Sequence, residues 1–389
     1  MKTSHLFFGV ASAALAVAAV AGGAQAQAWP DQGFSISGRT YMDVSNGSLE
    51  VNGAKTGSKN GFGFDVKRVY FQVDKKFNDL FSAQLQTDVS QVNQASGSAA
   101  GQGLYVKKAF VKASFSPKLE VSLGSNEMPW VPYAESIYGN RYLENTVLEQ
   151  DNTGKRTTFG TSADWGVHVG GKLNDIFSYQ VSMVNGGGYR NSGRSKTMDF
   201  EGRLSAKFDQ WNFAIGGYNG KRAQSVYKDA TLIAATPTVP AHWQQNLAAT
   251  PRTATRMNAL AAYVGDRGKV GVEYFSASNW DAKSILGTQG ADKADGASVF
   301  GSYRVTPLYT VFARVDAVKP SKTLAPFNKD SYYNIGIQTV PLKGITLSLV
   351  AKHDRMDQFA VSGPATALVK GARTRYEFTE IGIFTEIRY

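Results

Sequence analysis

The sequence predicts an all-β fold, a 16-stranded antiparallel up-and-down transmembrane β-barrel with short periplasmic turns and long external loops. Three observations lead there. Apolar and polar residues alternate with period two through almost all of residues 27–389, the signature of strands. Connections alternate strictly between short and long. Beyond residue 26 no apolar stretch is long enough for a membrane helix, so a chain that enters the membrane must do so as a closed sheet.

The chain begins with an export pattern. Met1-Lys2 supplies positive charge, and Leu6–Val20 is an apolar run too short to span comfortably. Two small-x-small sites follow, Ala24-Gln25-Ala26 and Ala26-Gln27-Ala28. Residues 1–26 are therefore read as a signal peptide cleaved near 26–28, and residues 27–389 as the barrel. No Cys stands at the cleavage site, so no lipoprotein anchor is expected. The complete absence of Cys fits an exported chain and removes thiol chemistry. A mean hydropathy of −0.26 is too polar for a helical membrane protein. It suits a barrel, where every second residue of each strand faces water.

Phe81–Gln91 shows the alternation most clearly. Phe81, Ala83, Leu85, Thr87 and Val89 form one face, and Ser82, Gln84, Gln86, Asp88 and Ser90 the other. Leu204, Ala206 and Phe208 likewise oppose Arg203, Ser205 and Lys207. Short connections are expected at 75–80, 116–118, 174–176, 209–210, 265–268, 306–307 and 341–344. Long ones are expected at 45–61, 92–103, 128–153, 186–197, 220–255, 277–294, 319–330 and 355–374. Seven short turns and eight long loops give 16 strands with both ends in the periplasm, and an even count leaves no edge. Lys155–Leu173 is read as one long strand after the third loop. Aromatics cluster beside the short turns (Phe77, Phe81, Phe115, Phe177, Tyr179, Phe208, Trp211, Tyr303 and Tyr309), as interfacial girdles do. The last strand alternates through Ile381, Ile383, Thr385 and Ile387 to a terminal aromatic, Tyr389.

Several stretches resemble the phosphate-selective porin O and P family. They are Phe64-Asp65-Val66-Lys67-Arg68-Val69-Tyr70-Phe71 with Phe81–Leu85, Gly166–Gly171 with Phe177–Val181 and Asn185-Gly186, Asp199–Leu204, and Val299–Arg304 leading into Phe312–Arg314. The resemblance implies a 16-stranded homotrimeric porin whose third loop folds inward. It makes the segment 128–153, with Glu135, Arg141 and Glu144, the expected constriction. Three acids (Glu135, Glu144 and Glu149) beside one Arg do not look like a dedicated phosphate trap.

Face parity places Arg39, Arg68, Lys108, Lys112, Arg203, Lys207, Arg304, Arg314 and Lys352 on the lumen side. It places Asp43, Asp74, Asp88, Glu120, Asp199, Glu201, Glu273, Asp316 and Asp354 there too. The wall is then close to balanced, and the net charge of +11 falls mostly on loop residues such as Lys55, Lys59, Arg190, Lys329, Lys370 and Arg373. Such loops either raise anion concentration at the mouth or bind lipopolysaccharide phosphates. The expected function is passive diffusion of small hydrophilic solutes with some anion preference, needing no cofactor. A phosphate- or oxyanion-specific channel is the alternative; a barrel enzyme or a closed structural barrel or adhesin are readings of another class. The four His are His5, His168, His242 and His353, too scattered for a Ser-His-Asp arrangement, and no H-E-x-x-H metal spacing occurs. Nucleic acid is not an expected partner, since the chain is exported and has no stripe of interleaved basic and aromatic residues.

Overall fold

The computed structural model describes residues 33–389 apart from 58, 93–100, 196, 225–230, 234–241, 245–250, 287–289 and 364–367. The expected signal peptide and its cleavage region lie outside the described residues. Strands β1 to β4 are Phe34–Val51, Gly61–Lys76, Phe81–Val92 and Gly101–Ser116. Strands β5 to β8 are Leu119–Glu127, Ala163–Lys172, Phe177–Val184 and Asp199–Phe208. Strands β9 to β12 are Trp211–Gly220, Ala254–Val264, Gly268–Ser278 and Lys293–Arg304. Strands β13 to β16 are Tyr309–Lys319, Lys329–Leu342, Ile345–Ser362 and Val369–Arg388. Ala54–Lys55 adds a short pairing at the end of β1, and Thr231–Ile233 pairs with His242–Gln244 in the fifth long loop.

Each strand pairs antiparallel with the next, and β1 pairs with β16 from Arg39↔Arg388 to Val51↔Tyr376. The sheet is thus a closed barrel of 16 strands among the described residues. Closure satisfies backbone groups that lipid cannot. Among the described residues no helix is long and apolar enough to cross a membrane.

The seven short turns fall where the sequence places them. Three are built alike. The side-chain oxygen of Asn78, Asn174 or Thr306 accepts from the backbone N–H groups two and three residues on. That local ring replaces ladder bonds and reverses the chain in little space. The girdle residues beside these turns face outward, with Phe77, Phe115, Phe208 and Trp211 exposed.

Four expectations need correction. Lys155–Leu173 is not one strand. Residues 155–162 continue the third loop, and β6 starts at Ala163. The reason is burial: Phe159 packs on Phe275 and Trp280, and Arg156 pairs with Asp330 at 3.2 Å. Loops 45–61 and 355–374 are shorter than expected, because β1, β15 and β16 run on as ladder to Val51, Ser362 and Val369. Strict face parity also fails where the register slips, and two of the five slips among the described residues redirect charge. These two fall between Tyr41 and Met42 opposite β2, and between Gln86 and Thr87 opposite β4. Each bulge carries one extra residue, Lys67 and Lys107, and both turn inward.

The lumen is not left empty. Segment 128–162 lies inside the barrel, carrying helix α1 (Val131–Tyr138). Pro132 suits its first turn, and Gly139 at φ 78° ends it with its N–H on the Glu135 carbonyl. Trp130, Val131, Leu148 and Phe159 pack against inward Ala214, Leu260 and Phe275. Tyr142 and Leu143 pack with Tyr41, Phe312, Val350 and Phe384.

The closing seam yields a prediction. Gly38 and Tyr389 exchange backbone hydrogen bonds at 2.8 and 3.2 Å, and a Cβ at Gly38 would collide with the Tyr389 ring. Gly38→Val is expected to destabilise the folded barrel by about 1–3 kcal/mol through overpacking. A lower melting transition in detergent, read from the loss of the fast-migrating unheated band on gels, checks it.

Candidate functional site

The inner wall divides into two halves with different partners. From β8 to β15 it is used to hold the third loop. Trp130 donates its indole N–H to Glu273 at 2.7 Å and its backbone N–H to Glu201 at 2.9 Å. Lys269 donates to the Tyr138 carbonyl, and Tyr142 meets Ser348 at 2.5 Å. Lys352 donates to the Leu143 carbonyl at 2.7 Å, and Arg314 to the Asn145 carbonyl at 2.5 Å. Gln150 and the Asn152 N–H both reach Asp354, at 2.7 and 2.8 Å. Arg256 donates to the Phe159 carbonyl at 2.6 Å and pairs with Glu201 at 2.9 Å.

This corrects the parity reading of three residues. Arg314, Asp316 and Lys352 do point inward, but each is buried beneath the loop. Arg314 pairs with Asp316, and Lys352 with Glu380 at 3.1 Å. They hold the loop and meet no open water. Glu144 is sealed as well, accepting from Asn152 at 2.8 Å. Asp43, Asp199, Glu201, Glu273 and Asp354 face inward and are likewise covered, and Asp88, expected to line the pore, is fully buried as well.

What stays open lies between α1 and the wall of β1 to β4. A cavity of about 630 Å³ there is lined by Arg39, Tyr41, Tyr70, Lys107 and Lys108 on the wall. Glu135, Ser136 and Arg141 line it from the loop, and Glu127, Glu386 and Arg388 complete it. A second cavity of about 410 Å³ shares Lys108 and Glu127 with the first and adds Lys112, Glu120, His168 and Arg203. A third of about 320 Å³ shares Gln84, Phe110 and Lys112 with the second and reaches the first short turn at Asn78 and Asp79. The three stand in series along one side of the barrel. Lys207 and Arg304 are exposed near the short-turn ends of their strands.

Charges along this lane are mostly paired. Lys108 meets Glu127 at 2.6 Å, Lys112 meets Glu120 at 3.3 Å, and Arg141 meets Glu135 at 2.5 Å. Arg388 meets Glu386 at 2.8 Å. Outside the lining of these cavities, Arg68 meets buried Asp88 at 2.8 Å and donates to the Tyr105 hydroxyl at 2.7 Å. Two cations of the first cavity differ. Among the described residues neither Arg39 nor Lys107 has a carboxylate at ion-pair distance. Lys107 donates to the Tyr70 hydroxyl at 3.3 Å and lies over the Tyr70 ring at 4.8 Å. Arg203 lies over the Tyr133 ring at 4.2 Å and donates to the Pro129 carbonyl. On the loop, burial and the neighbouring Glu135 carboxylate push the Glu149 carboxyl up to about 7.

Sequence reading missed Lys67, Lys107, Glu127, Glu386 and Arg388. A signal for the first two was present. Lys67-Arg68 and Lys107-Lys108 are adjacent cations on strands, and strict alternation would aim one of each pair into lipid. A bulge removes that conflict. His168 bonds Ser182 at 2.8 Å and the Asp164 carbonyl at 3.2 Å, so both ring nitrogens are engaged. His353 sits on the outer wall beside Tyr333, with Thr379 at 3.0 Å; His242 lies on the small loop hairpin. Among the described residues no group of three or more His, Asp or Glu is placed to hold a metal ion.

The model of the family described as phosphate-selective porin O and P matches residues 34–318. No curated protein matches the chain by sequence. Solved structures similar to it include OmpT of Vibrio cholerae, at TM-score 0.55 and 14% identity over 93% of this chain and 99% of that one. An anion-selective porin from Comamonas acidovorans gives TM-score 0.56 and 11% identity over 92% and 100%. The outer membrane channel DcaP of Acinetobacter baumannii gives 0.53 and 10% over 90% and 96%. At these identities the likeness is one of fold.

The anchoring of the loop predicts its own failure. Trp130→Ala removes a fully buried side chain and leaves Glu273 unpaired, a loss of about 3–5 kcal/mol of local packing. The barrel ladder does not depend on it. The expected outcome is a folded barrel with a larger, noisier single-channel conductance in planar bilayers. Conductance identical to the parent would show that the loop is held without this anchor.

Proposed function

Because this chain belongs to the phosphate-selective porin O and P family, we propose that its lane between α1 and β1–β4 favours anions over cations. The chain is an outer-membrane porin through which small hydrophilic solutes pass by diffusion. The anion preference rests on one observation. The first cavity holds five cations (Arg39, Lys107, Lys108, Arg141 and Arg388) and three acids. Each acid is matched to one cation, which leaves exposed Arg39, and Lys107 largely buried against Tyr70, without a carboxylate at ion-pair distance among the described residues. In a narrow passage with low-dielectric walls such charge concentrates anions and repels cations.

Segment 128–153, extended to 162, is the constriction in this reading. Glu135 and Arg141 stand at its edge, while Glu144 lies behind it. The neighbouring acids keep the field moderate, which supports general anion preference over a saturable phosphate site. Passage needs no cofactor. A homotrimer is proposed, in keeping with the trimer form described for Vibrio cholerae OmpT. The chain is read as a channel and not an enzyme, with His168 as a structural side chain of the wall.

The test is the zero-current potential in a planar bilayer under a KCl gradient, with and without added phosphate. Chloride is expected to exceed potassium in permeability several-fold, more so at low salt where screening is weak. Arg39→Glu with Lys107→Glu is expected to reverse the sign. An unchanged potential in that double variant would sink the assignment, and saturable block by phosphate would point to the oxyanion-specific alternative.

A pH dependence follows from Glu149. Below a pH of about 7 its carboxyl is protonated and one negative charge leaves the loop; above it the charge returns. Anion preference is therefore expected to rise as pH falls through about 7, and Glu149→Gln is expected to flatten that step. A parent channel with no step between pH 5.5 and 8.5 would refute it.

A further inference from the structure

The outer wall carries a second feature that transport does not use. On β14, β15 and β16 the outward residues change character at one level. Along β15 they run Ile345, Leu347, Leu349, Ala351, then His353 and Arg355. Along β16 they run Ile387, Thr385, Ile383, Ile381, then Thr379 and Glu377, and along β14 Ile337, Ile335, then Tyr333 and Ser331. Register places these changes side by side: Tyr333↔His353↔Thr379 form one row, and Ser331↔Arg355↔Glu377 the next. His353 stands eight residues beyond Ile345, roughly 26 Å along the strand, comparable to the roughly 25 Å apolar band of such barrels. Tyr333 is half exposed and lies 5.2 Å from the His353 ring, as interfacial rings do.

Directly above that row stands a basic cluster. Lys329↔Asp357↔Arg375 is one row, and Phe359↔Arg373 the next. Asp357 is met by Arg355 at 2.7 Å, Arg375 at 3.0 Å and Arg373 at 3.9 Å. Lys370 lies over the Phe359 ring at 4.1 Å, and Lys329 is exposed. The acids are Asp357 and Glu377, with Glu50 on the β1 side opposite Glu377 and Lys55. Asp357 gathers three guanidinium groups and Glu377 lies 3.8 Å from Arg375, and two carboxylates cannot occupy the combined donors. Arg373 is 48% exposed and Arg355 34%.

The geometry points to a binding site for the phosphate monoester of an outer-leaflet glycolipid on β14–β16, formed by Lys329, Arg355, Arg373 and Arg375. Planar guanidinium forks match phosphate oxygens, and Asp357 pre-orients them. The apolar row below offers the acyl chains a wall, so head and tail are both accommodated. A free anion in bulk water gains nothing from that wall, which favours the lipid over dissolved phosphate. This site is independent of the lumen and of its selectivity.

The test compares bisphosphorylated lipid A with its dephosphorylated form, binding to the purified protein by native mass spectrometry. The parent is expected to prefer the phosphorylated lipid at least tenfold. Lys329→Gln, Arg373→Gln and Arg375→Gln together keep the Arg355–Asp357 pair and are expected to remove most of that preference. The lumen variants Arg39→Gln and Lys107→Gln are expected to leave it intact. Equal binding of the two lipids, or an unaffected triple variant, would overturn the site. Displacement of lipid by equimolar inorganic phosphate would overturn the lipid assignment, and loss of oligomer in the triple variant would show instead a contact between subunits.

Discussion

The pairing of β1 with β16 is the constraint on which the rest depends. In lipid an unpaired backbone N–H or C=O costs several kcal/mol, and an open sheet has a whole row of them. Thirteen aligned positions from Arg39↔Arg388 to Val51↔Tyr376 remove that edge. Once the ring is closed, each strand's register is fixed by its neighbours. Side chains then have two directions only, lipid or lumen. The exposed Phe64, Leu85, Leu123, Ile215, Val299 and Ile383 take the first, and charges such as Arg314, Lys352 and Glu273 take the second.

The two bulges show how that rule is kept when the sequence breaks it. A Lys facing lipid at mid-bilayer costs about 2–4 kcal/mol. Losing a ladder bond costs about 1 kcal/mol. Slipping the register is therefore the cheaper solution for Lys67-Arg68 and Lys107-Lys108. The consequences differ. Lys67 enters among acids and pairs with Asp43 at 3.3 Å and Glu380 at 3.4 Å. Lys107 enters beside the Tyr70 and Tyr189 rings and has no such partner among the described residues.

Alternation, turn spacing and the girdle made the barrel legible, because each is local and repeats. The Asn78 and Asn174 turns are written in five residues each. The third loop was legible in position but not in extent. Nothing in Lys155–Ser162 announces that Phe159 finds Phe275, or that Arg156 finds Asp330, since these contacts cross more than a hundred residues. The same loop decides which inward charges meet water. Parity rightly aimed Arg314 and Lys352 at the lumen, yet it could not see the cover placed over them. Periodicity reports direction; accessibility depends on what else is folded inside.

That distinction is what lets the proposed anion preference arise from a nearly balanced wall. The loop covers the β8–β15 half of the charges: Trp130 and Gln150 donate to the wall acids Glu201, Glu273 and Asp354, and a loop carbonyl accepts from Lys352. Buried and paired, they no longer act on a passing ion at full strength. The open half keeps Lys108, Lys112 and Arg141 as dipoles with their acids, whose fields fall off faster than a free charge. Among the described residues of the first cavity, Arg39 and Lys107 are the cations left without a carboxylate at ion-pair distance. In the proposed reading, selectivity is a property of which charges are left over after the loop has docked, and counting residues on the wall does not reveal it.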